Sequence, residues 1–78
     1  MFSDAEKENR RKFIALYEEY ISNPSDEGIR KKAEGMGIIG GPQFSEAINR
    51  AASGVYKLET GRLTVSEAKK ILEELRKS

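Results

Sequence analysis

Apolar residues in this chain recur at helical intervals. Phe13, Leu16, Tyr17 and Tyr20 stand at i, i+3, i+4 and i+7, with Ile14 and Ile21 widening the stripe, which predicts an amphipathic helix. Ahead of the stripe, Ser3-Asp4-Ala5-Glu6 reads as a capping box, the Ser3 hydroxyl accepting from the Glu6 N–H while the Glu6 carboxylate reaches back. The first two turns carry only Ala5 as an apolar residue, so they are expected to project or lie on the surface. Pro24 stops the helix after Ser22-Asn23, because proline cannot continue it and biases its predecessor away from the α region. A second helix of about ten residues follows, opened by Pro24 or by Asp26-Glu27, with Ile29 and Ala33 as its thin apolar face and Gly35 as its C′ residue.

Phe44, Ala47, Ile48, Ala51, Val55 and Leu58 form the stripe of a third helix, opened by Pro42 and running to Gly61. Gly54 costs that helix about 1 kcal/mol relative to alanine, so it either serves close packing or marks a break. Leu63-Thr64-Val65-Ser66-Glu67 is a second capping box, with Leu63 placed to staple onto Ala68. Ala68, Ile71, Leu72 and Leu75 line the last helix, and Arg76-Lys77 complement the negative end of its dipole. No alternation of period two extends over a useful length, and there is no internal repeat. The pattern predicts an all-α fold: a small single domain over residues 1–78, with about four short amphipathic helices in a bundle or orthogonal array. Phe13, Leu16, Tyr20, Phe44, Ile48, Val55, Ile71, Leu72 and Leu75 are expected to share its core.

Composition narrows the chemistry more than the architecture. With 78 residues, 37% hydrophobic and 35% charged, the domain has a modest core, worth about 3–5 kcal/mol of net stability. Cysteine and histidine are both absent, which removes disulfides, thiol nucleophiles, the commonest general base near neutral pH and the commonest transition-metal ligands. No enzyme, cofactor or metal site is therefore expected. No apolar run approaches the roughly 20 residues that span a bilayer, and no charged leader precedes an apolar segment, so no membrane partner and a cytoplasmic location are expected.

Fourteen basic and 13 acidic residues leave a formal charge of +1, far from the basic balance of a typical nucleic-acid binder. The triplets Arg10-Arg11-Lys12 and Arg30-Lys31-Lys32 are candidate phosphate contacts. Each has acidic residues within a turn, and three consecutive positions spread over about 300° of a helix, so mixed charged faces are the better reading. Glu18-Glu19 and Glu73-Glu74 likewise read as solvated faces. Tyr17, Tyr20 and Tyr56 are candidate stacking residues, but Tyr17 and Tyr20 fall on the apolar stripe and belong at the rim of the core. Glu59-Thr60-Gly61 is similar to the close of a recognition helix in repressor-type helix-turn-helix domains. The glycine turn and full helix that should precede it are missing, so no residue is carried over from that likeness.

Gly35-Met36-Gly37-Ile38-Ile39-Gly40-Gly41-Pro42 spells G-x-G-x-x-G, yet a dinucleotide cradle needs a strand before the glycines and a Walker loop needs Gly-Lys-Ser/Thr after them. Here a helix precedes and Gly-Pro-Gln follows. The segment reads as a reversal whose apolar residues either plug the core or stand out as a knob for a partner. The expected function is a non-enzymatic helical binding module, most readily for another protein or for a second copy of itself, through Met36, Ile38, Ile39 and Phe44 and the helix face beside them. A helix-turn-helix-like nucleic-acid binder is the alternative.

Overall fold

The computed structural model describes residues 4–36 and 40–77. They form four helices, α1 (Asp4–Ser22), α2 (Glu27–Gly35), α3 (Glu46–Glu59) and α4 (Val65–Lys77), with no strand among the described residues. Helices α1 and α3 touch each other and both of the others, whereas α2 and α4 do not meet. The domain is thus an α1–α3 pair flanked by α2 on one side and α4 on the other.

Local chemistry sets each boundary. Asn23 accepts from the Asp26 N–H at 3.1 Å in a turn that Pro24 preorganises. Asp26 then caps α2, its carboxylate accepting from the Gly28 N–H at 2.9 Å. Ser45 caps α3. Gly61, at φ +73°, closes that helix in a Schellman motif. Its N–H donates to Leu58 at 3.1 Å and that of Arg62 to Lys57 at 2.8 Å, a geometry that demands the left-handed residue at C′. Thr64 begins α4 as the capping box predicts, accepting from the Glu67 N–H at 3.1 Å, with Leu63 and Ala68 both buried beside it.

Two boundaries differ from expectation. Gly35 is the last residue of α2 with no positive φ, and Met36 follows as a right-handed cap whose N–H bonds Ala33. A tightened last turn therefore ends this helix without a glycine reversal. Helix α3 starts after Phe44, not at Pro42, because residues 41–44 are a turn closed by the Phe44 N–H on the Gly41 carbonyl at 3.1 Å. The first turns of α1 lie on the surface as expected, with Asp4, Ala5, Lys7 and Glu8 exposed, except at one residue. Glu6 is buried, and its carboxylate accepts from the Ser45 N–H at 2.7 Å. Ser3 lies outside the described residues. The Glu6 carboxylate thus performs for α3, from another helix, the task that Glu or Gln at the third helical position performs in a capping box; α3 has Ile48 there.

One core fills the interior. Phe13, Leu16, Tyr17, Ile48, Val55, Leu72 and Leu75 are buried in it, while Phe44 and Ile71 are half-buried against it. Tyr17 and Tyr20 lie inside this core and not at its rim, because each hydroxyl finds a backbone acceptor. Tyr17 donates to the Ala51 carbonyl at 2.5 Å and Tyr20 to that of Leu63 at 2.7 Å. Gly54 does not break α3. A Cβ there would overlap the Tyr17 hydroxyl and come within 2.8 Å of Ile71, so the missing side chain is what lets α1 and α4 close on α3.

Candidate interaction surface

Because Phe13, Leu16, Tyr17 and Tyr20 turn α1 inward, Arg11, Lys12, Ala15, Glu18, Glu19 and Ser22 are left exposed. Helix α2 runs back along this face but buries only Ile29 and Ala33, too little side-chain volume to close the seam. An open groove of about 630 Å³ results, lined by Ala15, Glu18, Glu19, Ser22, Asn23, Asp26, Gly28, Ile29 and Lys32. It continues into an apolar extension of about 250 Å³ between Lys12, Ala15, Leu16 and Met36. Lys32 bridges the seam, its ammonium donating to both Glu19 oxygens at 2.8 and 2.9 Å. Glu18, on the same rim, also pairs with Arg76 of α4 at 2.8 Å. These partners are about half exposed, so each pair orients side chains more than it stabilises the fold.

The four residues singled out for partner binding separate here. Met36 is half-buried at the apolar end of the groove. Phe44 is half-buried against the core at the N′ position of α3, one residue before the cap. Ile38 and Ile39 lie outside the described residues. Among the described residues Tyr56 of α3 is the large apolar side chain most open to solvent, at 65%.

Residues 40–44 are pinned to α3 by Asn49. Its side-chain oxygen accepts from the Gly41 N–H at 2.8 Å, and its amide donates back to the Gly41 carbonyl at 3.0 Å. Gly41 has φ +149°, a conformation that disfavours any side chain. The site where a phosphate would sit after a glycine turn is the N-terminus of the next helix. On α3 the Ser45 hydroxyl and the Glu6 carboxylate already occupy the Ile48 and Ser45 N–H groups. A helix, not a strand, delivers the segment to that point.

The basic triplets do not form one continuous basic face: Lys12 and Lys32 both border the groove, but each is paired with a carboxylate. Lys12 pairs with Glu8 at 3.7 Å and Lys32 with Glu19, while the Arg30 guanidinium lies against Gly61 at the α3–α4 turn. On the α4 side, Arg50 bridges Glu74 and Glu46, and Lys57 reaches Glu67. Glu74 holds the Arg50 guanidinium above its ordinary value, and the Lys77 hydrogen bond holds the Glu73 carboxyl below its own. Burial raises the Tyr17 phenol. Among the described residues no group of three or more carboxylates is placed to hold a metal ion, and no helix is long and apolar enough to cross a membrane.

Asn49 was not singled out by the sequence, although it carried a signal, an asparagine four residues after a cap serine in a helix that otherwise favours other residues there. Glu6 was singled out only for a local box with Ser3, and not for its bond to Ser45. No family model, curated protein or solved structure matches this chain.

Proposed function

We propose that this chain is a small non-enzymatic helical binding module that engages another protein through the α1–α2 groove in the cytoplasm, with Met36 at the apolar end of the contact surface. The observation that carries the reading is the groove itself. It has an apolar floor at Ala15, Leu16, Ile29 and Met36 between charged rims, and apolar floors within polar rims are the anatomy of protein interfaces. The paired and dispersed charges favour a protein over a nucleic acid, since no continuous basic face follows from the triplets. A chain without cysteine also loses nothing in a reducing compartment.

The test is site-specific photocrosslinking in cells, with the crosslinking side chain at Ala15 and, as a control, at Lys70 on the outer face of α4. A discrete adduct from Ala15 that is missing from Lys70 is expected. Adducts of equal strength from both positions, or from neither, would overturn the reading.

A further inference from the structure

The exposed positions of α1 have a symmetry that the fold does not use. Arg11 and Lys12 precede Ala15 by four and three residues, and Glu18 and Glu19 follow it by three and four; all five are exposed. Apart from the Lys32–Glu19 bridge, which borders both halves, the groove has the same polarity, with Lys12 at its Met36 end and Glu18 and Asp26 at the other. Ala15 borders both halves. A surface basic on one side of its midpoint and acidic at mirrored spacings on the other is complementary to itself when turned end over end.

We infer that the partner seated on this face is a second copy of the chain, docked about a twofold axis that passes by Ala15 perpendicular to α1. The inference rests on the binding role proposed above and names its partner. With the two α1 helices antiparallel, positions seven apart share one side of the helix, so Lys12 of one copy meets Glu19 of the other and Arg11 meets Glu18, each pairing occurring twice, as a twofold axis requires. Parallel pairing would set Lys12 against Lys12 and Glu18 against Glu18, so the charge pattern also rejects the wrong orientation. Ala15, the smallest exposed side chain of this face, stands where the helices come closest. Lys12, Glu18 and Glu19 already have partners within the chain, but their side chains remain about half exposed, and a carboxylate accepts from more than one cation.

Sedimentation equilibrium of the full chain tests this. Wild type should form a dimer that weakens as sodium chloride is raised, because exposed charges are screened. Lys12→Glu alone and Glu19→Lys alone each place like charges together twice and should each lower the association constant by at least about tenfold. An equimolar mixture of the two variants restores both pairings and should dimerise like wild type. Arg11→Glu mixed with Glu18→Lys gives an independent version of the same exchange, and circular dichroism checks that all four variants, altered at exposed positions, remain folded. Single variants that associate like wild type, or mixtures no tighter than their components, would overturn the inference. A monomeric wild type would overturn it too. If the Ala15 crosslink then captures a different protein, the binding role stands without self-association; if it captures none, both fail.

Discussion

On the α4 flank of the α1–α3 pair, Gly54 lets Tyr17 and Ile71 reach the backbone of α3, and Arg50, Lys57 and Arg76 tie α4 to its neighbours through ion pairs. On the α2 flank, a nine-residue helix is held by Ile29, Ala33 and one bridge between helices, Lys32 to Glu19, and leaves an open groove. The difference is one of side-chain volume per turn. Helix α4 supplies Ala68, Leu72 and Leu75 to the core and half-buries Ile71, while α2 supplies one isoleucine and one alanine. Since marginal domains open first where buried apolar contacts are few, the α4 flank carries the stability and the α2 flank is the side proposed above to receive a partner.

The largest effect should come from the shared interior. Ile48 is fully buried, and Ile48→Ala should cost about 2–4 kcal/mol, most of what so small a domain has. Ile29→Ala on α2 should cost about 2 kcal/mol, at the low end because Ile29 borders the groove and its surroundings can relax. Urea denaturation separates the two. Amide exchange sharpens the comparison, with Ile29→Ala raising exchange in α2 ahead of α3. Equal acceleration along both helices would mean that the flanks unfold as one unit.

Gly54→Ala probes the close approach itself. An added methyl must displace the Tyr17 hydroxyl and Ile71, and overpacking of about 1–3 kcal/mol plus a buried hydrogen bond of about 1 kcal/mol outweighs the gain of about 1 kcal/mol in helix propensity. The net loss should be about 2 kcal/mol. Because the hydroxyl is the group struck, Gly54→Ala should cost less in a Tyr17→Phe background, a coupling that a double-mutant cycle measures. The same hydroxyl sets an alkaline limit. Burial raises the Tyr17 phenol above its ordinary value of 10.0, so above that pH the unfolded chain releases this proton before the folded one. The stability contribution is intact below pH 10 and is lost as pH rises. Tyr17→Phe should flatten this part of the denaturation profile, and an unchanged slope would place the effect elsewhere.

The helices themselves were legible in the hydrophobic period, and the Thr64 cap in local spacing. What escaped was set by contacts distant in sequence. Glu6 and Ser45 are 39 positions apart, and nothing near Glu6 says that its carboxylate serves α3. Gly54 was ambiguous for the same reason, since a helix interior glycine reads alike whether it breaks the helix or admits a tyrosine from another one. Met36 stood outside any helical period and Phe44 headed the third stripe, and each packs half-buried against the core, Phe44 ahead of α3 because the Asn49 brace and the Gly41 turn hold it there. The groove left no local mark at all. It is the absence of volume on α2, visible only once α1 lies beside it.

The smallest predicted effect is a gain, and it tests whether the α2 flank is limited by its own helix. Gly35 lies inside the last turn of α2 without a positive φ, and a Cβ built on it meets nothing within 4 Å. Its backbone freedom therefore serves no reversal and no close approach. Gly35→Ala should add helix propensity and reduce the entropy of the unfolded chain, for a gain of about 0.5–1 kcal/mol. The gain should appear as slower amide exchange across α2, with α3 and α4 little changed. Amide exchange followed by nuclear magnetic resonance, at a pH where α2 exchanges by local opening, measures it directly. A loss of stability would mean that the chain needs glycine at 35 to reach the conformation that follows Met36, and the expectation of a C′ glycine there would then be the better account of how α2 ends.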